Sequence, residues 1–592
     1  MRWPILIGIL CHLTAAAGSG SLSIDLSVKE AGGGVWFGEI AADGQTLLRL
    51  RGGEEQLLRQ RAADVAARLR RFAMEGIRPA DIAVEPNSAG TAVTIGGRNL
   101  VVIDPPLAQL SGMSARSLAA AWARQLREVF SKAYLILEPS ELLVPYGEVR
   151  TIGVGGTAEG QISCGLYADE IVEVTPAANG ASVDVRGVGV GSTVASVERG
   201  GAGGVVTIDV RKWAAAIAES AEAVVTGGIP GNPALHSAVT NAALNAVRPE
   251  PGAVLRMGRP LRGASARTFV APVEATGDGY IPAKRAMQVR VVNTAAPGLA
   301  AAALLVSNDP ELISAPGDLM VGELPPSQAV RLLYHHKNAM SRPCRLVVAL
   351  HNASEQPACV HITEAAAGPH GDELFVGHAA TRRFAERLRL GHGYVVRIPG
   401  GYQSEVARQT LAPNDVASGL ALLTNLGTGE VRITVSAESG SAHTGYFAPV
   451  PARVRGLAPG AGQRFQPEKR ITASYTVGDA WLFLDIGREA VADQRGTTLK
   501  GNYGVSYQIK LRLHNARDES ARAEIAVRAG GGTAWGSFSI DGHVVEMPLL
   551  MPGQERVLRT VTLSPHASRT VAIETMPEAA SSYPVTLIVR SR

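Results

Sequence analysis

The chain is poor in the residues that stapled folds, metal clusters and sugar clefts are built from. It has only four cysteines in 592 residues, too few to staple a fold of this length with disulfides. No Cys-x-x-Cys or His-Glu-x-x-His is present, so the usual local zinc patterns are missing. The Gly-x-Ser-x-Gly elbow and the P-loop lysine motif are missing too, which leaves nucleophilic and phosphate chemistry without a local signature. Aromatic residues make up 5% of the chain, which argues against a deep stacked sugar cleft. Charged residues make up 19%, with a net charge of +4 and no block of Lys or Arg, so nucleic acid is not an expected partner. No segment reaches the roughly 20 consecutive apolar residues that span a bilayer as a helix.

What the chain does hold is 46% hydrophobic residues, 66 glycines and 34 prolines. That is ample for packed cores with many turns, and the length implies roughly four domains. A multidomain, mainly β architecture is expected. Residues 1–17 read as a cleaved signal peptide, with Arg2 as the charged start, Ile5–Leu10 as a short apolar run and Ala15–Ala17 as a small-residue cleavage site. This places the protein in the periplasm, in the cell envelope or outside the cell.

Residues 22–135 read as an α/β module of ββαββα type. Asp43-Gly44 is a hairpin signal, and a helix from about Glu54 to Glu75 carries Val65, Leu69 and Phe72 on one face and ends at Gly76. Strands are expected at Ile82–Val84 and Ala92–Ile103, and Ser114 caps a second helix with Leu118, Trp122, Leu126 and Val129 on one face. Residues 136–212 carry short period-two runs punctuated by glycine, with Gly147, Gly187 and Gly191 at turns or close approaches and a bulge near Gly187. Residues 213–268 read as a β-α-β unit, with a helix from Pro233 to about Val247. Residues 269–447 read as a β-sandwich interrupted by a helix at Ala379–Leu390. A Pro/Gly-rich linker at 448–462 leads to a second β-sandwich at 463–592. Strands in both sandwiches end in His-Asn, at His351-Asn352 and His514-Asn515.

Two resemblances follow from these residues. Gly147, Ile171-Val172-Glu173-Val174, Val183 to Gly191 and Thr193 make the 136–212 segment similar to the pilus-formation (secretin-type) N-terminal domain, an Ig-like unit. Leu100–Ile103, Gly112-Met113-Ser114, Leu118-Ala119 and Trp122-Ala123 give the 22–135 module the look of a small periplasmic module of bacterial envelope proteins, and the rest resembles envelope β-sandwich proteins. The resemblance implies a non-enzymatic envelope protein in surface or pilus-type assembly or scaffolding, partnered by other envelope proteins or by itself. It implies no cofactor. No strand array for an outer-membrane pore follows the Ig-like unit, so a channel is not implied.

Two alternatives stay open. One is a periplasmic metal- or ligand-binding protein. Seven of the 13 histidines lie between His335 and His392, and imidazole with carboxylate is a plausible donor set. His370, Asp372 and His378 are the candidate metal ligands, and His351 and His361 flank an apparent hairpin and could approach. Cys344 and Cys359 flank the same hairpin, either as a disulfide or as buried small hydrophobes. The other alternative is a polysaccharide-binding sandwich, which needs tryptophans such as Trp36, Trp481 or Trp535 exposed on one face. Asn502 and Tyr503, bracketed by Gly501 and Gly504, are a candidate partner-binding loop, against the favoured reading of a tyrosine packing a sandwich corner.

Overall fold

The computed structural model describes residues 20–591 except 33, 229–231, 264, 266, 440–446 and 450–462. The expected signal peptide and most of the expected linker lie outside the described residues. The chain is mainly β and multidomain, and it divides into two compact units. The first runs through Ala214 with Gly277–Pro282, and the second comprises Ala215–Thr276 with Ala283 onward.

The first unit starts with the α/β module, and its elements form where local chemistry places them. Asp43 (φ 48°) and Gly44 (φ 78°) both take the left-handed conformation that a two-residue hairpin needs between strands Val35–Ala42 and Gln45–Gly52. Helix α1 (Glu55–Glu75) buries Leu58, Val65, Leu69 and Phe72 and stops at Gly76. The expected strand at Ala92–Ile103 is instead a hairpin, Gly90–Ile95 and Arg98–Ile103, because Gly96 and Gly97 take positive φ between them. Helix α2 (Pro105–Ser111) was not expected. Asp104 caps it, accepting from the Leu107 N–H at 3.0 Å, and Pro105 opens it. Helix α3 (Ala115–Val129) begins as expected, with the Ser114 hydroxyl accepting from Ser117 N–H at 3.1 Å.

Residues 135–211 close into two four-stranded sheets. Leu142 and Val144 run parallel to Ile208 and Val210, and a core of Ile152, Val154, Val172, Val183, Val185 and Val206 lies between the sheets. The bulge expected near Gly187 is a strand end. The strand Ser182–Gly187 stops there, and Val190 is exposed on the turn. A Cβ on Gly189 would stand 2.0 Å from the Glu170 carbonyl oxygen, so this turn admits only glycine.

The second unit corrects the expected boundary at 268. Strand Ser220–Thr226 pairs parallel with Ala283–Thr294 and antiparallel with Gly393–Ile398, so the β-α-β unit and the following sandwich share one eleven-stranded sheet. Helix α4 (Asn232–Asn245) packs on this sheet through Leu235, Val239 and Leu244. A five-stranded sheet makes the second layer, and Phe447–Pro449, at the head of the expected linker, is its edge strand. The apparent hairpin between Cys344 and Cys359 is a crossing between sheets. Cys344–Asn352 lies in the five-stranded sheet and Ala358–His370 in the eleven-stranded one, and both cysteines are free thiols, as is Cys164. The terminal sandwich stacks a five-stranded sheet on a four-stranded one. Its core is continuous with the preceding sandwich, since Leu304, Leu333, Ala365, Val376 and Phe384 join one cluster with Phe465, Tyr507, Ile525, Phe538 and Leu587.

The recurring His-Asn ending has a physical basis in the asparagine. Asn338, Asn352, Asn425 and Asn515 are fully buried. In each, the side-chain oxygen accepts from the N–H two residues on. The side-chain amide donates to the carbonyl four residues on and to a carbonyl of another strand end, for example Asn352 to Gln356 at 2.7 Å and Ile398 at 3.0 Å. Asn338, Asn425 and Asn515 repeat the pattern with Arg342, Gly429 and Glu519. One residue type thus satisfies the orphan carbonyls where the chain leaves a strand.

Candidate functional site

The best-developed polar constellation lies where helix α5 (Glu373–Leu390) meets the terminal sandwich. Asp372 caps α5, accepting from Phe375 N–H at 3.0 Å, and the His370 Nδ1 accepts from Asp372 N–H at 3.0 Å. Gly377 lets the helix press against the strand-exit segment at Ala579, where a Cβ would lie 2.0 Å from the carbonyl oxygen. That approach carries His378 inward. Its Nδ1 lies 2.8 Å from Glu578 Oε2, and its ring stacks on Trp535 with centroids 4.2 Å apart. Trp535 is itself pinned by Ser581, whose hydroxyl bonds both its N–H and its carbonyl at 2.9 Å.

Glu578 is 1% exposed and its Oε1 has no partner. Burial pushes its carboxyl up to about 7, against the pull of the His378 hydrogen bond. The Tyr583 hydroxyl, on the same segment, is also without a partner. Beside this seam a cavity of about 750 Å³ is lined by α5 through Thr381, Arg382 and Glu386 and by Phe538, Glu574 and Glu578. A smaller one of about 140 Å³ is lined by Glu311, His335, Tyr503 and Ser581.

The expected metal set is not assembled. His370 and Asp372 build the helix cap, and His378 faces the sandwich interior in a pair with Glu578. Among the described residues no group of three or more His, Cys, Asp or Glu is placed to hold a metal. Three other histidines of the region are internal ties. His336 Nε2 lies 2.8 Å from Ser307 Oγ, His351 Nε2 2.7 Å from Thr434 Oγ1 and His361 Nε2 2.9 Å from Thr226 Oγ1. His351 and His361 sit in different sheets, and each is tied to its own threonine hydroxyl. Burial pulls His335, His336 and His361 each down to about 4, so all three are neutral at pH 7.

The expected partner loop is also folded in. Asn502 is fully buried, accepting from Val491 N–H at 2.8 Å and donating to Glu489 O at 2.7 Å and Tyr507 Oη at 2.6 Å. Tyr503 donates to Ser581 O at 3.1 Å and meets Tyr583 edge-on. This is the corner-packing tyrosine. Two groups that the sequence does not mark are Glu578 and Arg331. The Arg331 Nη1 donates to Pro467 O and Gly504 O, both at 2.9 Å, tying the two sandwiches together, and burial brings its pKa down to about 10.

Comparison with known proteins finds a family model that matches a stretch of the first unit. Residues 39–133 match a domain of unknown function (DUF8459), a span that runs from the second strand past the end of α3. No curated protein matches. Among solved structures the chain is similar to domains 4 and 5 of the S-layer protein SbsC, at 22% identity over 13% of this chain and 46% of that one, with a TM-score of 0.12. It is also similar to SbsC domains 5–6, at 11% identity over 48% of this chain and 98% of that one, with a TM-score of 0.14. A third similarity is to the M60 catalytic domain with two CBM51 domains of ZmpB from Clostridium perfringens, at 7% identity over 83% and 59%, with a TM-score of 0.16. The chain spans under half the length of the first S-layer structures it matches, 46% and 25%.

Proposed function

We propose that this protein is a non-enzymatic scaffold of the cell envelope, exported by its leader, that presents β-sandwich surfaces to other envelope proteins or to further copies of itself. The observation that carries this reading is how the second unit uses its polar interior. Groups with perturbed ionisation usually mark reaction sites when they face a cleft. Here the buried polar groups serve as ties: the histidine–hydroxyl pairs join strands within one sheet, the four strand-end asparagines join sheet to sheet, and the Arg331 bridge and the His378–Glu578 pair join sandwich to sandwich. The side chains of that pair are 7% and 1% exposed, and although Glu578 also borders the cavity of about 750 Å³, the pair serves in this reading as a tie that holds the two sandwiches in one arrangement. The pilus-formation-like reading of 136–212 belongs to the same proposal, with edge-strand pairing as the mode of association.

The test is fractionation of cells expressing the tagged full chain, followed by mass-resolved light scattering of the exported protein. Recovery from the envelope or medium as an oligomer, or together with a second envelope protein, is the expected result. Retention in the cytoplasm, or an exported monomer that captures nothing, overturns the proposal.

A further inference from the structure

The outer face of the terminal sandwich carries a feature that the scaffold reading does not use and on which that reading does not depend. In the four-stranded sheet, Val585, Leu587 and Val589 point into the shared core together with Ala523, Ile525 and Val527. Side chains alternate along a strand, so their neighbours point the other way. Phe483 lies opposite Ile588, Ile588 opposite Ala526, and Ala526 opposite Val557. Ile588 and Ala526 are fully buried although they face away from the core. One row along, Glu524 pairs with Arg590 across the strands, and Trp481 immediately precedes the edge strand Leu482–Ile486.

Trp481 and Phe483 are each 50% exposed, with ring centroids 6.3 Å apart and planes tilted by 47°. The Arg590 guanidinium lies 4.9 Å from the Trp481 centroid, and that of Arg528 lies 5.8 Å from the Phe483 centroid. Arg590 is fixed in turn: Nε and Nη2 each lie 3.2 Å from Glu524 Oε2, and Nη1 lies 2.7 Å from Glu555 Oε1.

We infer that this face is a binding site for a neutral polysaccharide, with pyranose rings stacked on the sides of Trp481 and Phe483 that the guanidinium groups leave uncovered and their hydroxyls bonded to the edges of Arg590, Arg528 and Glu555. Two physical facts select this occupant. Around the two rings, the guanidinium groups of Arg590 and Arg528 balance the carboxylates of Glu524 and Glu555, so this patch offers directional donors and acceptors with little local charge, which suits a polyol better than an anion. The exposed apolar area is also small. The two half-exposed rings with the partly exposed Val557 amount to roughly 250 Å², far below the roughly 800 Å² per partner of a stable protein interface. A sugar presents one C–H face and a rim of hydroxyls, which is the same division of apolar and polar surface.

The experiment is affinity electrophoresis of the full chain through native gels cast with a soluble β-glucan, a galactomannan or glycol chitin. Retardation by at least one of them is expected, weakened about tenfold or more in apparent affinity, a loss of ~1.4 kcal/mol, by Trp481→Ala and by Phe483→Ala. Trp481→Phe keeps the retardation. Migration unaffected by all three polymers overturns the proposal, as does retardation that survives the Trp481→Ala/Phe483→Ala double variant. Light scattering of the same variants separates this idea from self-assembly. A fall in oligomer mass in Trp481→Ala makes the patch a contact between copies and sinks the sugar site, whereas unchanged mass with lost retardation supports it and leaves the scaffold reading to its own test.

Discussion

The two units solve the problem of a β-rich interior in different ways. Among the described residues, the first unit buries only Thr94 and Ser182 as near-inaccessible polar side chains, while the second buries two arginines, five histidines, two glutamates and a series of asparagines, serines and threonines. The first is therefore held by apolar burial and backbone pairing, which are forgiving of exact geometry. The second depends on polar groups that stabilise only while each keeps its partner, because a buried group that loses its partner bears the full desolvation cost. Such networks narrow the set of arrangements a core can adopt, which suits sheets and sandwiches that must hold one register.

This contrast predicts the largest difference under acid. His335, His336 and His361 have native values near 4 against 6.5 unfolded, so between those values the unfolded chain binds more protons. Stability contributed by these groups is complete above about pH 6.5 and is lost as the pH falls towards 4. Glu578 works in the opposite sense. Its value near 7 against 4.5 makes its contribution greatest at or below 4.5 and lost as pH rises through 7. Glu373 near His335 tempers that histidine's shift. Hydrogen exchange across the full chain from pH 7 to 4 should show the second unit opening while the first stays protected, and Glu578→Gln should steepen the loss. Equal protection of both units at pH 4 would erase the contrast.

Next in size is His378→Ala, which removes the ring stacked on Trp535 and leaves the Glu578 carboxyl, then protonated, without its imidazole partner; it should cost about 2–4 kcal/mol in urea unfolding monitored at neutral pH, with Trp535 emission as the local probe. A cost below about 1 kcal/mol would mean the pair is solvated. Smaller again is Asn352→Ala, expected to cost about 2–3 kcal/mol because three carbonyls lose a donor, against under about 1 kcal/mol for Ser182→Ala in the first unit. Similar values for the two would remove the distinction drawn between the units. At the bottom is Arg59→Ala, which breaks an exposed i,i+4 pair with Glu55 and should move stability by only about 0.3–0.5 kcal/mol.

Legibility in the sequence divides along the same line. The α/β module was readable because its signals are local: Asp43-Gly44, Gly76 and Ser114 act on neighbours within a turn. Helix α2 went unread although Asp104-Pro105 carries the start signal, since seven residues show little periodicity. The merged sheet was hidden because strand 220–226 finds its partners at 283–294 and 393–398. For the site, the histidine-rich region was visible, but its roles were not. Nothing near His378 announces Glu578, which lies 200 residues away. Asn502 looked presented because its flanking glycines are adjacent, whereas the groups that bury it, Glu489 and Val491, come earlier in the chain.

The strand-end asparagines also bear on how the protein ages. Deamidation requires the side-chain carbonyl carbon to swing onto the next backbone nitrogen. At Asn338, Asn352, Asn425 and Asn515 both ends of the amide are held by hydrogen bonds, and none of the four precedes a glycine. Asn179 precedes Gly180 on an exposed turn of the first unit, so chemical wear is expected to begin there. A new carboxylate at Asn179 meets water, whereas one at Asn352 would be sealed among carbonyls. The folded second unit therefore shields its asparagines from the chemistry that would undo it, and slow damage to it must wait for unfolding.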